Sequence, residues 1–304
     1  MTEKIPYLYD LIDMNNPDAI MDEVRHVAAI ITPKIDFAII NRAYRDILYL
    51  FDGTLPGYQG CTTSYHDIFH TMDVVLANIR LAHAIALTGV DFSAQDIDLI
   101  ILAALMHDTG YIQRQSETTG TGAQYTAIHI ERSIEFAKSY FQNTQKASVD
   151  LEALAQILDC TGLNANIDVM TFHSEVIRLL GFMLGTADLI GQMSDRYYVE
   201  KLPMLYEEFQ EAGIPGFTSD LNFIQKTPEF YAWVMERFQN TFGGIDRFMK
   251  NHFKARWGID CDLYAIFMEK NQAYLRLIAK KPDYKTKIKR TIRTQKHNVL
   301  SFNA

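Results

Sequence analysis

Apolar residues recur at intervals of three and four along most of the chain, and few stretches alternate apolar and polar residues with period two. The first spacing puts apolar side chains on one face of a helix, whereas the second is typical of a half-buried strand. The pattern therefore predicts an all-α protein.

Residues that favour helix starts or helix breaks divide this pattern into segments. Asn16 followed by Pro17 predicts a helix start, because asparagine caps helices and proline is tolerated in their first turn. A second helix follows Thr32-Pro33 and runs to about Phe51. Further helices are expected at residues 66–89, 93–107, 125–143, 148–160, 172–194, 195–212, 227–254 and 261–280. Loops rich in glycine, proline or small polar residues are expected at 53–64, 115–124 and 213–219.

No internal repeat, low-complexity tract or long linker marks a domain boundary, so we expect one helical domain over residues 1–304 with helical additions at both ends. The longest apolar run, Leu99–Met106, is much shorter than the roughly 20 residues of a transmembrane helix. The first residues lack the pattern of a secretory signal. The three cysteines lie far apart and predict neither disulfides nor a cysteine zinc site. We therefore expect a cytoplasmic protein with no membrane partner.

Charge is distributed unevenly around the formal net value of −8. Residues 270–297 hold ten Lys and Arg against Asp283 alone, so this segment carries +9 and the rest of the chain −17. The basic C-terminal segment, about residues 270–304, is interpreted as a solvated terminus or as a tail that docks on its own protein, on a partner or on an anionic surface. Few aromatic residues accompany the basic ones, so nucleic-acid binding is not expected. The sequence leaves a homodimer open.

The first candidate for chemistry is the segment Tyr65–Val74, which places His66 and His70 four residues apart where a helix begins. At that spacing the two imidazoles share a helix face, and Asp73 follows one turn later. Pairs of this kind are common by chance, so this motif alone does not establish a site.

The second candidate is His107-Asp108, which ends the apolar stretch Leu99–Met106. An imidazole and a carboxylate at the end of a buried helix are costly unless something satisfies them, and a divalent cation satisfies both. Adjacent side chains on a helix diverge, so a shared metal requires the backbone to turn here. Gly110 is expected to allow that turn.

Two more polar residues stand in suggestive positions. His129 begins the helix after the glycine- and threonine-rich loop, with Glu131 close behind it. Asp188 is a lone carboxylate in the apolar stretch Leu184–Ile190. Each has an ordinary structural explanation, but four such anomalies in one helical chain favour a common metal site.

In this order the residues resemble the HD-domain superfamily of metal-dependent phosphohydrolases, whose pattern is a His, a His-Asp doublet on a later helix and a distant Asp. The resemblance covers about residues 60–210 and implies a helical bundle with a metal-binding core. It identifies the metal ligands as His70, His107, Asp108 and Asp188.

Two groups within the superfamily are the most similar. The predicted HD phosphohydrolases of bacteria share the segment His107–Tyr111 and the segment His129–Ser133. The class I cyclic-nucleotide phosphodiesterases share the first histidine pair, which by resemblance makes His66 the general acid. The chain departs from the phosphodiesterases at Asp67, where they have Asn, and at Tyr111, where they have a third His. Their purine-recognising Gln has no secure counterpart.

The resemblance implies one or two divalent ions, and imidazoles with carboxylates suit Zn, Fe, Mn or Ni, while Mg is accepted by water-rich sites. Asp108 is expected to bridge to a second ion that His129 completes. An activated water would attack phosphorus while His66 protonates the leaving oxygen, so His66 and Asp108 are the catalytic candidates. The candidates for substrate binding are Tyr65, Tyr111, Arg114 and Arg132. Glu131 is a candidate to orient His129.

The predicted function is hydrolysis of a phosphoester of a small nucleotide-like substrate. Cyclic-nucleotide diesters and nucleotide monoesters remain open as substrates. The alternative is a non-catalytic regulatory module of the same fold that binds a nucleotide or a protein partner. A degenerate module would be expected to lose ligands, whereas this ligand pattern is complete.

Overall fold

A computed structural model describes residues 5–143, 149–162, 165, 167–281 and 283–288. This described part contains thirteen α-helices and four short 3₁₀ turns, with no β-sheet and a single antiparallel bridge between Tyr58 and Arg114. The prediction of an all-α protein is confirmed.

The helices are α1 (Leu8–Leu11), α2 (Pro17–Ile31), α3 (Ala38–Asp52), α4 (Ile68–Ala86), α5 (Ala94–Met106), α6 (His129–Asn143), α7 (Leu151–Asp159), α8 (Glu175–Ser194), α9 (Tyr198–Glu211), α10 (Asp220–Asn240), α11 (Met249–Trp257), α12 (Leu263–Ile278) and α13 (Tyr284–Lys287). The 3₁₀ turns are Thr109–Tyr111, Gly122–Tyr125, Ile167–Val169 and Ile245–Phe248.

Helices α4 and α8 form the centre of the molecule. They pack against each other, α4 also contacts α2, α5 and α11, and α8 also contacts α7 and α12. Every residue of α4 except Phe69 and Ala86 is buried. Polar side chains on these two helices therefore lie in a low-dielectric interior, where they need partners.

Helix α8 is the one described helix that is long and apolar enough to span a membrane. Within its apolar window, 67% is buried inside the protein. It is thus a core helix of the bundle.

Local capping sets most of the helix starts. Asn16 caps α2 by accepting hydrogen bonds from the backbone of Asp18 and Ala19, as predicted. Asp67 caps α4 by accepting from the backbone N–H of His70, so this helix begins at Ile68 and not at residue 66. The helix expected from residue 125 begins at His129 instead, after a 3₁₀ turn.

The prediction of a single helix at 227–254 is wrong. Two helices, α10 and α11, occupy this region, and α10 already begins at Asp220 after the cap Ser219. The break follows Asn240, because Gly243 and Gly244 adopt left-handed φ angles of 65° and 64°. Phe242 is buried beside them and anchors the turn.

The basic segment begins by docking on its own protein. Tyr284 is buried, and Lys285 forms an ion pair of 2.5 Å with Asp220 at the start of α10. Lys287 pairs with Asp283. The last four Lys and Arg of the segment, at positions 289–296, lie outside the described residues.

Candidate metal centre

The His107-Asp108 doublet is held where α5 ends and the chain enters a 3₁₀ turn. The imidazole Nδ1–H of His107 donates to the carbonyl oxygen of Ala104 at 2.8 Å. The hydroxyl of Ser133 donates to the carbonyl oxygen of His107 at 2.7 Å and accepts from the backbone N–H of Gly110. Through these two hydrogen bonds, Ser133 of α6 holds the backbone around the doublet in place.

Gly110 has a different role from the one expected. Its φ is not positive, so its freedom to turn is not what the site requires. A Cβ at Gly110 would lie 1.8 Å from the carbonyl oxygen of His129. Glycine is needed because the start of α6 lies directly against this backbone.

Four side chains, two from helices α4 and α8 and two from the doublet, lie close together. His107 Nε2 lies 3.1 Å from Asp108 Oδ2 and 3.4 Å from His70 Nε2. His70 Nε2 lies 3.4 Å from Asp108 Oδ2 and 3.2 Å from Asp188 Oδ1. His70 comes from α4 and Asp188 from α8, the two central helices. The structure thus brings together the four residues that the sequence selected.

The chemistry of this donor set fits a divalent cation. Because Nδ1 of His107 donates to a carbonyl, Nε2 is the ring atom that faces the carboxylate oxygens of Asp108 and Asp188. In the charged ring of the metal-free protein Nε2–H donates to Asp108, whereas in the neutral ring Nε2 is free to bind a metal. Buried imidazole nitrogens and carboxylate oxygens that converge in this way are the donors that a divalent cation binds.

Burial and mutual attraction act in opposite directions on the doublet. Burial disfavours a charge on each group, but the carboxylate of Asp108 outweighs it and raises the pKa of His107 to about 9. Burial likewise opposes the ionised form of Asp108, yet His107 holds the pKa of that carboxyl well below its usual range. The centre therefore favours positive charge beside its carboxylates.

His129 approaches the other side of Asp108. Its Nε2 lies 3.9 Å from Asp108 Oδ1, the oxygen that faces away from His107. Its Nδ1–H donates to the carbonyl oxygen of Thr126 at 2.7 Å, and burial lowers its pKa. Thr126, and not Glu131, orients this ring, so that part of the expectation is wrong. The placement of His129 suits the second ion site that the resemblance implies.

His66 lies beside this cluster and has its own carboxylate partner. Its Nδ1 is 2.6 Å from Glu208 Oε2, and Glu208 Oε1 accepts from the backbone N–H of Tyr65 at 2.5 Å. Burial lowers the pKa of His66, but the charge and hydrogen bond of Glu208 outweigh burial and raise it. Glu208, in α9, was missed in the sequence because its segment contains four carboxylates.

Tyr111 lies between two of these imidazoles. Its ring stacks on His66 at a centroid distance of 4.3 Å and on His129 at 4.6 Å. Tyr65 is buried with its ring edge-on to that of His66, at 5.0 Å. Tyr111 lines the cavity described below, whereas Tyr65 does not, so its role as a substrate contact is not supported.

The two arginines expected to bind phosphate point elsewhere. Arg132 donates two hydrogen bonds to Glu117 and others to the carbonyl oxygens of Gly110 and Ile112. Arg114 is largely exposed and pairs with Glu135 at 3.1 Å. Neither arginine lines the cavity, so the structure does not support the expectation that they bind substrate. Both arginines form ion pairs with nearby carboxylates instead, and the sequence alone did not indicate these pairs.

A cavity of about 950 Å³ leads to the candidate centre. His66, His70, Asp108, His129 and Asp188 line its inner end, and residues of α9 and α10 contribute further lining. A volume of this size accommodates a small organic ligand. His107 lies behind the other ligands and is almost completely buried.

Comparison with known proteins gives one match. A family model described as Npun_R2479-like matches residues 114–243, less than half of the chain. The matched part contains His129, Asp188 and Glu208 but not His70 or the His107-Asp108 doublet. No curated protein and no solved structure matches the chain. The chain is therefore similar to this family over its middle part.

Proposed function

We propose that this protein is a metal-dependent phosphohydrolase of the HD-domain type. The observation that carries the proposal is the convergence of His70, His107, Asp108 and Asp188 at the inner end of a cavity. This is the ligand set that the HD resemblance requires, and it is complete. A regulatory module that had lost its chemistry would not need to keep all four.

The four residues would hold one divalent ion, and Asp108 with His129 would contribute to a second. Such ions would supply positive charge to the phosphoryl oxygens and acidify a water molecule. Burial of Asp108 and His107 keeps bulk water from competing for these ligands.

His66 is suited to protonate the leaving oxygen. Its pKa is raised by Glu208, so the ring retains a proton near neutral pH more readily than free histidine does. The bond from Nδ1 to Glu208 leaves the Nε2–H of the charged ring available for donation. Stacking on Tyr111 fixes the plane of the ring at the cavity wall.

The test is a hydrolysis assay on purified protein of known metal content. Phosphodiesters, nucleoside monophosphates and nucleoside triphosphates are offered with Mn, Mg, Ni and Fe(II) in turn. We expect hydrolysis of at least one phosphoester that is lost on addition of a chelator and absent in Asp108→Asn.

The matched control is Asp98→Asn, which neutralises a half-buried aspartate near the other end of α5. It should retain activity. Equal activity in Asp108→Asn and the wild type, or no hydrolysis of any phosphoester with any of the metals, would contradict the proposal.

A further inference from the structure

The outer part of the cavity is negatively charged. Beyond the inner histidines and the carboxylates Asp108 and Asp188, the described lining residues with a formal charge are Glu131, Asp159, Glu229 and Lys226. Three carboxylates thus face one lysine. Glu131 and Glu229 are exposed, and Asp159 is half-buried.

The lysine and the nearby arginines do not form a bidentate cationic site in the cavity. Lys226 donates to the carbonyl oxygen of Gly216 at 2.9 Å and lies 5.8 Å from the ring of Phe217. Arg132 and Arg114 are bound by Glu117 and Glu135 outside the cavity. No described arginine lines the cavity. The outer cavity therefore lacks the cationic fork that proteins use to bind phosphate groups.

Part of the cavity lining is aromatic. Phe223 packs edge-on against Phe217 at 4.7 Å and against Phe209 at 5.7 Å, and Phe230 lines the same cavity. Ile214 and Pro215 add apolar surface to this lining. Such a wall favours an aromatic or aliphatic group and disfavours a hydrated anion.

We propose that the substrate of this site carries a single phosphoryl group attached to a bulky, uncharged aromatic or apolar moiety, and that nucleoside diphosphates and triphosphates are excluded. The inference rests on the proposed function. The phosphoryl group would lie at the inner end beside the metal ligands, and the apolar moiety would pack on the phenylalanines. A second phosphoryl group would have to lie among the outer carboxylates.

Charge repulsion sets the size of the expected discrimination. At an effective dielectric constant of about 20, two like charges about 10 Å apart alter binding by about tenfold. Each additional phosphoryl group should therefore weaken binding by about tenfold. The aromatic wall should add affinity for any bulky apolar group.

The experiment compares inhibition constants of methyl phosphate, AMP, ADP and ATP. Each competes with the hydrolysis of bis(p-nitrophenyl) phosphate by the metal-loaded full chain, with free Mn²⁺ held constant. We expect AMP to inhibit more strongly than methyl phosphate, ADP and ATP. Tighter inhibition by ADP or ATP, or an AMP no better than methyl phosphate, would overturn the inference.

A double variant, Glu131→Gln with Asp159→Asn, tests the cause of the discrimination. It removes two outer charges and should therefore reduce the ratio of the ADP inhibition constant to the AMP inhibition constant by about tenfold. Glu135→Gln, one turn from Glu131 on α6 but outside the cavity, should leave the gap unchanged. An unchanged gap in the double variant would also contradict the inference.

The outcomes separate this inference from the proposed function. A protein that hydrolyses no phosphoester with any metal fails the proposed function itself. A protein that hydrolyses phosphoesters but prefers ADP or ATP keeps the proposed function and refutes only the substrate class.

Discussion

Helix α4 carries a buried histidine in its first turn and another in its last turn, and the two have opposite surroundings. His70 faces the carboxylates of Asp108 and Asp188 at 3.4 and 3.2 Å. His83 instead faces His252 of α11, with the two Nδ1 atoms 3.0 Å apart. Both rings of the second pair are buried, and no carboxylate within ion-pair distance of either is described.

The neighbours decide what each histidine pair can do. Carboxylates around His70 and His107 favour positive charge and so create a place for a cation. Around the second pair, burial and the charge of Arg256 lower the pKa of His83. Burial and the charges of Arg80, His83 and Arg256 lower the pKa of His252 to about 2. The lowered pKa values favour neutral rings in this pair, and the hydrogen bond between the two Nδ1 atoms requires at least one neutral ring as its acceptor.

The largest expected effect concerns His66, which lies next to the carboxylate-flanked His70 and His107. His66→Gln should lower kcat by about 10²–10⁴-fold, because the leaving group loses its proton donor. Metal content measured by elemental analysis should be unchanged. His83→Gln is the matched control and should retain kcat. If His66→Gln retained the kcat of the wild type, the role of His66 as general acid would be contradicted.

Glu208 is a positioning residue, and its variant should move the pH profile. Its carboxylate raises the pKa of His66, so Glu208→Gln should lower that pKa and shift the alkaline limb of kcat to lower pH. A lower kcat with an unshifted profile would indicate a purely structural role.

The carboxylate-flanked histidines and the pair His83–His252 should also give opposite pH dependences of stability in the metal-free protein. The lowered pKa values of His83 and His252 contribute stability that is complete above about pH 6.5 and is lost as the pH falls below it. The raised pKa of His107, about 9, contributes stability that is complete below about pH 6.5 and is lost as the pH rises towards 9. Each proton changes the free energy of unfolding by about 1.4 kcal/mol per pH unit.

Urea unfolding at several pH values tests these opposite dependences. His252→Gln should flatten the acidic limb, and His107→Gln should flatten the alkaline limb. If both variants changed the same limb of the stability profile, the proposed difference between the two histidine sites would be contradicted.

The smallest effects are expected at the two arginines that lie outside the cavity. Arg132→Ala should lower the free energy of unfolding by about 1.5–3 kcal/mol, because the Glu117 carboxylate and two carbonyl oxygens lose a charged donor. Arg114→Ala removes an exposed pair and should cost about 0–1 kcal/mol. Both variants should retain the KM of the wild type. A several-fold rise in KM in Arg114→Ala would restore its proposed contact with substrate.

The sequence indicated His107, Asp108 and Asp188 because each is locally out of place. His107-Asp108 ends an apolar helix, and Asp188 interrupts another, so both stand out in one dimension. Glu208 does not stand out, because acidic neighbours surround it and only folding brings it to His66. The ion pairs that turn Arg114 and Arg132 away also depend on residues distant in sequence. Local patterns therefore predicted the residues of the cluster but not the partners of the surrounding residues.

The most direct test of the account is a calorimetric titration of the metal-free full chain with Mn²⁺. We expect saturable binding of one or two ions by the wild type and by His252→Gln, and its loss in His107→Gln and Asp108→Asn. Circular dichroism confirms that each variant remains helical. Equal Mn²⁺ binding by all four folded proteins, or none by the wild type, would contradict the claim that the carboxylate-flanked histidines form a metal centre.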